Sequence, residues 1–223
     1  KKFKDLYPIA KNKDIYGGLY IPQDGQADPE LLTKVIAAAA KKEGVIIFEK
    51  CKLQKILKRK DKIRGVKTNL GTINCEYIVL CTGMWSRQIG EAAGVSIPLY
   101  PNEHFYMITE NYKNLPEVLP TFRDPDTYLY IREYHKKLMI GIFEPNAKNA
   151  FKKKGIVPNN FSFGEFNVNK KYIRMLHNLV AKRIPNIKDF KIEKYFSGPE
   201  SFTPDSNFLL GETEEIKNFY VCC

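Results

Sequence analysis

Ile97-Pro98-Leu99-Tyr100-Pro101-Asn102-Glu103-His104-Phe105-Tyr106-Met107-Ile108-Thr109 reads as a strand entered through prolines. Successive side chains of an extended strand face opposite ways. His104 and Tyr106 therefore share one face, and Glu103 and Phe105 the other. Further on, Tyr128-Leu129-Tyr130-Ile131-Arg132-Glu133 reads in the same way, with Tyr130 and Arg132 on a common face. Two strands that set imidazole, phenol and guanidinium on sheet faces make a floor suited to a small polar substrate.

Working outward, the stretch from Ile97 to Glu144 is rich in strands and aromatics and is punctuated by prolines. Its last strand is Leu138–Phe143. Before it the pattern is different. Tyr16 to Pro22 reads as a short strand. Asp28-Pro29 opens a helix, with Asp28 as N-cap and proline at the first helical position. Leu32, Val35, Ile36 and Ala39 form its apolar stripe, and Gly44 ends it. The alanines at 37–40 suggest packing on a sheet, and Val45-Ile46-Ile47-Phe48 has the continuous apolar character of a buried parallel strand. Cys51–Lys58 and Ile63–Thr68 flank a polar turn, which signals a hairpin. Tyr77-Ile78-Val79-Leu80-Cys81 is another buried run. It ends in Thr82-Gly83-Met84-Trp85-Ser86 and a helix to Ala93, stopped at Gly94. Such a strand–turn–helix corner lets a backbone approach a phosphate or ring closely, although many such corners bind nothing.

On the other side, residues 145–167 form an aromatic loop. An amphipathic helix then carries Ile173, Leu176, Val180 and Ile184 on one stripe, with His177 at its edge. An alternating run, Phe190–Phe196, and a last strand, Phe219–Val221, close the chain. His135 falls in a turn, which leaves His104 as the one histidine on a sheet. The fold class expected is α/β (α+β).

With 223 residues, 43% hydrophobic, the chain can bury a sizeable core. The net charge of +11 invites a nucleic-acid partner. The basic clusters Lys58-Arg59-Lys60, Lys152-Lys153-Lys154 and Lys170-Lys171 are scattered, however, and only seven residues are arginine. No stripe with interleaved stacking aromatics results, so no nucleic-acid partner is expected. Neither is a membrane span, since no apolar run approaches roughly 20 residues. The five cysteines, Cys51, Cys75, Cys81, Cys222 and Cys223, form no C-x-x-C pair. Reduced, buried thiols are expected, and no metal site.

Three stretches occur in the order of one family. These are Gly17-Gly18-Leu19-Tyr20 with Asp24-Gly25 and Asp28-Pro29, then Cys81-Thr82-Gly83-Met84-Trp85, then Gly198-Pro199-Glu200-Ser201-Phe202-Thr203-Pro204-Asp205 with Leu210-Gly211-Glu212. Together with Glu103–Tyr106, Arg123-Asp124, Tyr128–Glu133 and Gly141–Pro145, they resemble the FAD-dependent oxidoreductases of the D-amino-acid-oxidase superfamily. The sarcosine and dimethylglycine dehydrogenase branch is the closest in look. The resemblance implies an FAD-binding domain of that type beside an antiparallel or mixed β-sheet substrate domain. It divides the chain into residues 1–14 at the edge of the substrate domain and 15–97 in the FAD-binding domain. Residues 98–195 then form the substrate-binding domain, and 196–223 return to the FAD-binding domain.

The resemblance also implies an activity, oxidation of a small N-methyl amino acid such as sarcosine or dimethylglycine by hydride transfer to FAD. His104 and Tyr130 match the family's active-site histidine and tyrosine; Leu53, Thr82, Gly83 and Trp85 match flavin contacts. Arg132 is a candidate carboxylate clamp, or else a salt-bridge partner of Asp124 or Glu133. The match makes Tyr106 a packing residue. Electrons would leave to an electron-transfer flavoprotein or to oxygen, in bacterial cytoplasm or the mitochondrial matrix. Tetrahydrofolate is an expected second cofactor only through a C-terminal domain that this sequence does not contain. The family's GxGxxG segment does not occur here either, so the chain is expected to match an internal part of such an enzyme, to hold FAD weakly and to be inactive by itself. The regulatory subunits of pyruvate dehydrogenase phosphatases resemble the same motifs, and in them the fold serves regulation instead of catalysis.

Overall fold

The computed structural model describes residues 2–111, 115–153 and 155–223. Lys1 and Lys154 lie outside the described residues, so the lysine cluster at 152–154 is only partly placed. The elements run α1 (Phe3–Leu6), α2 (Pro29–Lys42), β1 (Leu53–Arg59), β2 (Lys62–Thr68), β3 (Gly71–Asn74), β4 (Ile78–Leu80) and α3 (Ser86–Ala93). They continue with β5 (Tyr100–Thr109), β6 (Phe122–Asp124), β7 (Leu129–Tyr134), β8 (Lys137–Ile142), α4 (Lys170–Arg183), β9 (Ile192–Phe202), β10 (Leu210–Glu212) and β11 (Phe219–Cys222). The chain divides into two compact units. The first comprises Lys1–Gln26, Glu103–Lys148 and Phe163–Pro199, and the second Ala27–Asn102, Asn149–Ser162 and Glu200–Cys223.

The first unit is built on a five-stranded sheet of order β6-β7-β8-β5-β9. Its inner register, Phe122↔Ile131↔Ile140↔Met107 and Asp124↔Leu129↔Ile142↔Phe105, sets one face of alternate apolar residues. Leu176 and Val180 of α4, with Ile184 just after it, complete that core, all fully buried. Each such side chain contributes roughly 1.5–3 kcal/mol by leaving water. Three of the four residues of the stripe read from the sequence thus pack in the core, and Ile173 is half-buried. Asn169 caps the helix, its side chain accepting from Lys171 N. Between β7 and β8 the chain turns on His135 and Lys136, both with positive φ (50° and 62°), the conformation that matches strand twist in a two-residue hairpin. A buried ion pair lies at the edge of this core: Arg183 Nε donates to Asp124 Oδ2 at 2.6 Å, and its Nη1 to Asp14 Oδ2 at 2.8 Å.

In the second unit, β1-β2-β3 form an antiparallel sheet and β10-β11-β4 a mixed one, with β11 parallel to β4. The hairpin expected around Lys60-Asp61 is present, with Lys60 at φ 56°. Ile56, Ile63, Leu80, Val95, Ile97, Leu99, Ile216 and Phe219 form the core.

Four local expectations are corrected. Tyr16–Pro22 is not a strand, and Tyr16 and Leu19 face solvent. Val45–Phe48 belongs to no strand, and all four residues are exposed. Helix α2 forms with the capping read from the sequence, the Asp28 side chain accepting from Leu31 N at 2.8 Å. Its stripe of Leu32, Val35 and Ile36 is nevertheless exposed. Periodicity fixes where an apolar stripe lies, whereas burial needs a neighbouring strand, and none of the described residues supplies one here. For the same reason the cysteines, expected to be buried, are half-buried or exposed, and all five are free thiols. No helix among the described residues is long and apolar enough to cross a membrane.

Candidate active site

The outward face of the first unit's sheet carries the candidate site. Across it, Arg123↔Tyr130↔Gly141↔Tyr106 stand in one row, from β6 to β5. Neighbours directly opposite in antiparallel strands share a face, so strand parity and register together place Arg123, Tyr130 and Tyr106 on the side away from the core. His104 shares the face of Tyr106, as alternation requires. Phe143 N donates to Tyr128 O, extending β8 toward that row.

His104 and Tyr130 come together. Nε2 of the imidazole and the phenol oxygen are 3.0 Å apart, within hydrogen-bond distance, although their strands are separated by β8. Gly141 makes this possible. A Cβ built on Gly141 would run into the Tyr130 hydroxyl and ring, so the phenol lies flat across β8 only because that position has no side chain. Gly141→Ala is expected to displace the ring from His104, with a stability cost of about 1–3 kcal/mol. Thermal melting checks the cost, and the tyrosine's near-ultraviolet signal checks the displacement.

Phe143 closes the cluster, its ring 4.6 Å from that of His104 and 5.2 Å from that of Tyr130. The Arg123 guanidinium lies over Phe143, 5.0 Å from the centroid. Burial pushes the His104 imidazole down to about 4, because a low-dielectric setting disfavours the charged form. His104 is therefore neutral at neutral pH. Tyr106 stacks on Phe196 at 4.9 Å and takes the packing role expected of it.

Arg132 bonds neither Asp124 nor Glu133. Asp124 belongs to Arg183, while Arg132 Nε donates to Met139 Sδ at 3.1 Å and its guanidinium lies 5.5 Å over Tyr134. His177 is satisfied at the core edge by the Tyr195 hydroxyl, 2.7 Å away. Phe143 and Gly141 occur in the sequence reading only as parts of a motif. Alternation of Met139, Gly141 and Phe143 along one strand puts them on one face, but their neighbours depend on register.

The second unit holds the other named residues. Leu53 opens β1, half-buried against the core. After β4 the chain enters a 3-10 turn, Gly83–Trp85, and then α3. Thr82 Oγ1 and Ser86 Oγ are 2.8 Å apart, Trp85 N donates to Thr82 O, and the indole stacks on Phe161 at 6.5 Å. Gly83 sits at φ 51°, with nothing within 4 Å of where a Cβ would stand. A ligand can therefore approach its backbone closely. A glycine backbone with this open space fits close approach by a ring or polar edge of a flavin dinucleotide. A pyrophosphate cradle is not among these residues.

A family model described as FAD dependent oxidoreductase matches residues 1–223. The chain is 32% identical over 220 residues to the 4-methylaminobutanoate oxidase (formaldehyde-forming) of Paenarthrobacter nicotinovorans, covering 99% of this chain and 26% of that protein. To the mitochondrial sarcosine dehydrogenase of Homo sapiens it is 33% identical over 225 residues, covering 99% and 24%. To the mitochondrial pyruvate dehydrogenase phosphatase regulatory subunit of Mus musculus it is 30% identical over 224 residues, covering 99% and 25%. Among solved structures, L-proline dehydrogenase from P. horikoshii matches with a TM-score of 0.81 at 26% identity, over 98% of this chain and 56% of that one. The chain thus spans about a quarter of the length of these curated relatives. Motifs, mixed helix–sheet architecture and whole-length match agree: the chain belongs to the FAD dependent oxidoreductases of the D-amino-acid-oxidase family.

Proposed function

We propose that this chain is part of an enzyme that oxidises an N-methyl amino acid of the sarcosine or dimethylglycine class, with His104 and Tyr130 as the residues that receive the amine. The observation that carries this reading is their 3.0 Å contact on an outward sheet face. When bound, FAD supplies the acceptor for the hydride that leaves the N-methyl carbon. In the same reading Leu53, Thr82, Gly83 and Trp85 contact that cofactor.

The remaining task falls to the chain's own side chains. Oxidation needs the nitrogen lone pair, so the amine must be unprotonated. A neutral His104 adds no positive charge beside the amine, and the burial that depresses its pKa disfavours an ammonium ion in the same place. Within hydrogen-bond distance of each other, Tyr130 and His104 hold the amine in its neutral form, and the proton it loses leaves to solvent instead of resting on the buried imidazole. Stacked against His104, Phe143 holds the imidazole plane and keeps water from one side of it.

The similarity to the phosphatase regulatory subunit favours a second reading, in which the fold regulates and does not catalyse. Purified full-length protein separates the two. Amine oxidation predicts a flavin absorption spectrum and turnover of at least one N-methyl amino acid. A colourless protein inert toward all of them supports the regulatory role.

A further inference from the structure

We infer that the solvent-facing side of α4 is a docking surface for an acidic segment of a partner protein, an amphipathic helix that sets carboxylates beside a few apolar side chains. Three observations point there. Lys171, Arg174, Asn178 and Lys182 recur every three or four residues and form one exposed row, roughly 17 Å long. Met175 and Leu179, both half-buried, run along one side of that row, and together they line a shallow depression of about 500 Å³. None of the three cations is in an ion pair among the described residues. Finally, α4 contains no Asp or Glu at all, whereas α1, α2 and α3 each carry one.

This is the reverse of the charge pattern that suits a merely solvated helix. In α2, Glu30 stands in the first turn and pairs with Lys34, while Lys41 and Lys42 fall in the last turn, as the helix dipole favours. In α4, Lys170 and Lys171 open the helix, where the dipole repels them, and Lys171 and Arg174 are like-charged neighbours one turn apart. A partner that brings carboxylates relieves both costs. The apolar edge sets the kind of partner. Met175 and Leu179 offer an incoming helix a strip to cover, the helix-in-groove mode of recognition, and methionine adapts to differing side chains. A membrane surface is bound through large apolar side chains free to insert, and nucleic acid best where stacking rings interleave with the cations; the exposed row has neither. A second copy of this chain, with a net charge of +11, is repelled.

The test titrates the full-length protein, at physiological ionic strength, into a fluorescein-labelled helical peptide that carries a row of glutamates beside a pair of leucines, and reads affinity from anisotropy. Lys171→Glu, Arg174→Glu and Lys182→Glu together are expected to weaken binding about tenfold or more. The same reversal at three exposed lysines of the other unit, Lys60, Lys62 and Lys67, should change it less than about twofold, because distant surface charges are screened. A peptide with serines for the leucines should bind about fivefold more weakly. Carboxylates in the first turn suit the helix dipole, so the α4 reversal should melt no lower than wild type; if it unfolds, Lys171→Gln, Arg174→Gln and Lys182→Gln together read the same loss, at about threefold. Wild-type protein that leaves the peptide unbound, or equal weakening by the two triple reversals, overturns the inference. So does binding of phosphatidylserine vesicles or of a DNA duplex that depends on the α4 row and is tighter than that of the peptide, which would assign the row to a membrane or to nucleic acid.

Discussion

In the full-length protein, His104→Ala is expected to slow reduction of the bound flavin by sarcosine or dimethylglycine roughly 10²-fold or more, and Tyr130→Phe roughly tenfold. Both variants should keep their fold and their flavin spectrum. The expectation follows from what each change removes. Alanine at 104 deletes the imidazole that faces the phenol, and with it the stack on Phe143. Phenylalanine at 130 keeps the ring over Gly141 and deletes only the hydroxyl. Because both residues are half-buried on a surface away from the core, neither change opens a cavity among the packed side chains. Equal reduction rates in wild type and both variants would remove His104 and Tyr130 from the site.

The largest stability effect is expected at Asp124. Its carboxylate accepts from Arg183 Nε, from the Thr127 hydroxyl and from Asp126 N, and both Asp124 and Arg183 are nearly inaccessible to water. Despite burial, which raises it, the carboxyl is held below its usual range by those bonds and by the guanidinium. Asp124→Ala leaves Arg183 buried with Asp14 as its remaining carboxylate, and Asp14 is largely exposed. Stranding a buried charge costs about 3–5 kcal/mol, so urea or thermal unfolding should show a loss of that order. A double replacement, Asp124→Ala with Arg183→Met, should recover much of it. A single variant as stable as wild type would mean that the pair does not hold β6 to α4.

Much of this arrangement is legible in the sequence, and the limits have physical causes. Alternation along single strands places His104 with Tyr106 and Tyr130 with Arg132, because a two-residue period is a property of the backbone. Helix ends are legible too, in Asp28-Pro29 and at Gly94, which closes α3 in the left-handed conformation. What alternation leaves open is which strands are neighbours and in what register. For that reason the passage of Tyr130 over Gly141 to His104, the pairing of Arg123 with Tyr130, and the assignment of Asp124 to Arg183 emerge only from the sheet. Burial is not legible at α2 and Val45–Phe48, where an apolar pattern states a need for a partner and says nothing of whether one lies alongside. Roles for the individual site residues entered through family resemblance, since an imidazole and a phenol on a sheet face specify no reaction.

The most direct measurement is an anaerobic titration of the full-length flavoprotein with sarcosine and with dimethylglycine, following the visible flavin band. Stoichiometric bleaching by at least one of them, slowed in His104→Ala, is the result expected of an amine-oxidising site built on this sheet. An oxidised flavin spectrum left unchanged by either amine at saturating concentration would contradict it.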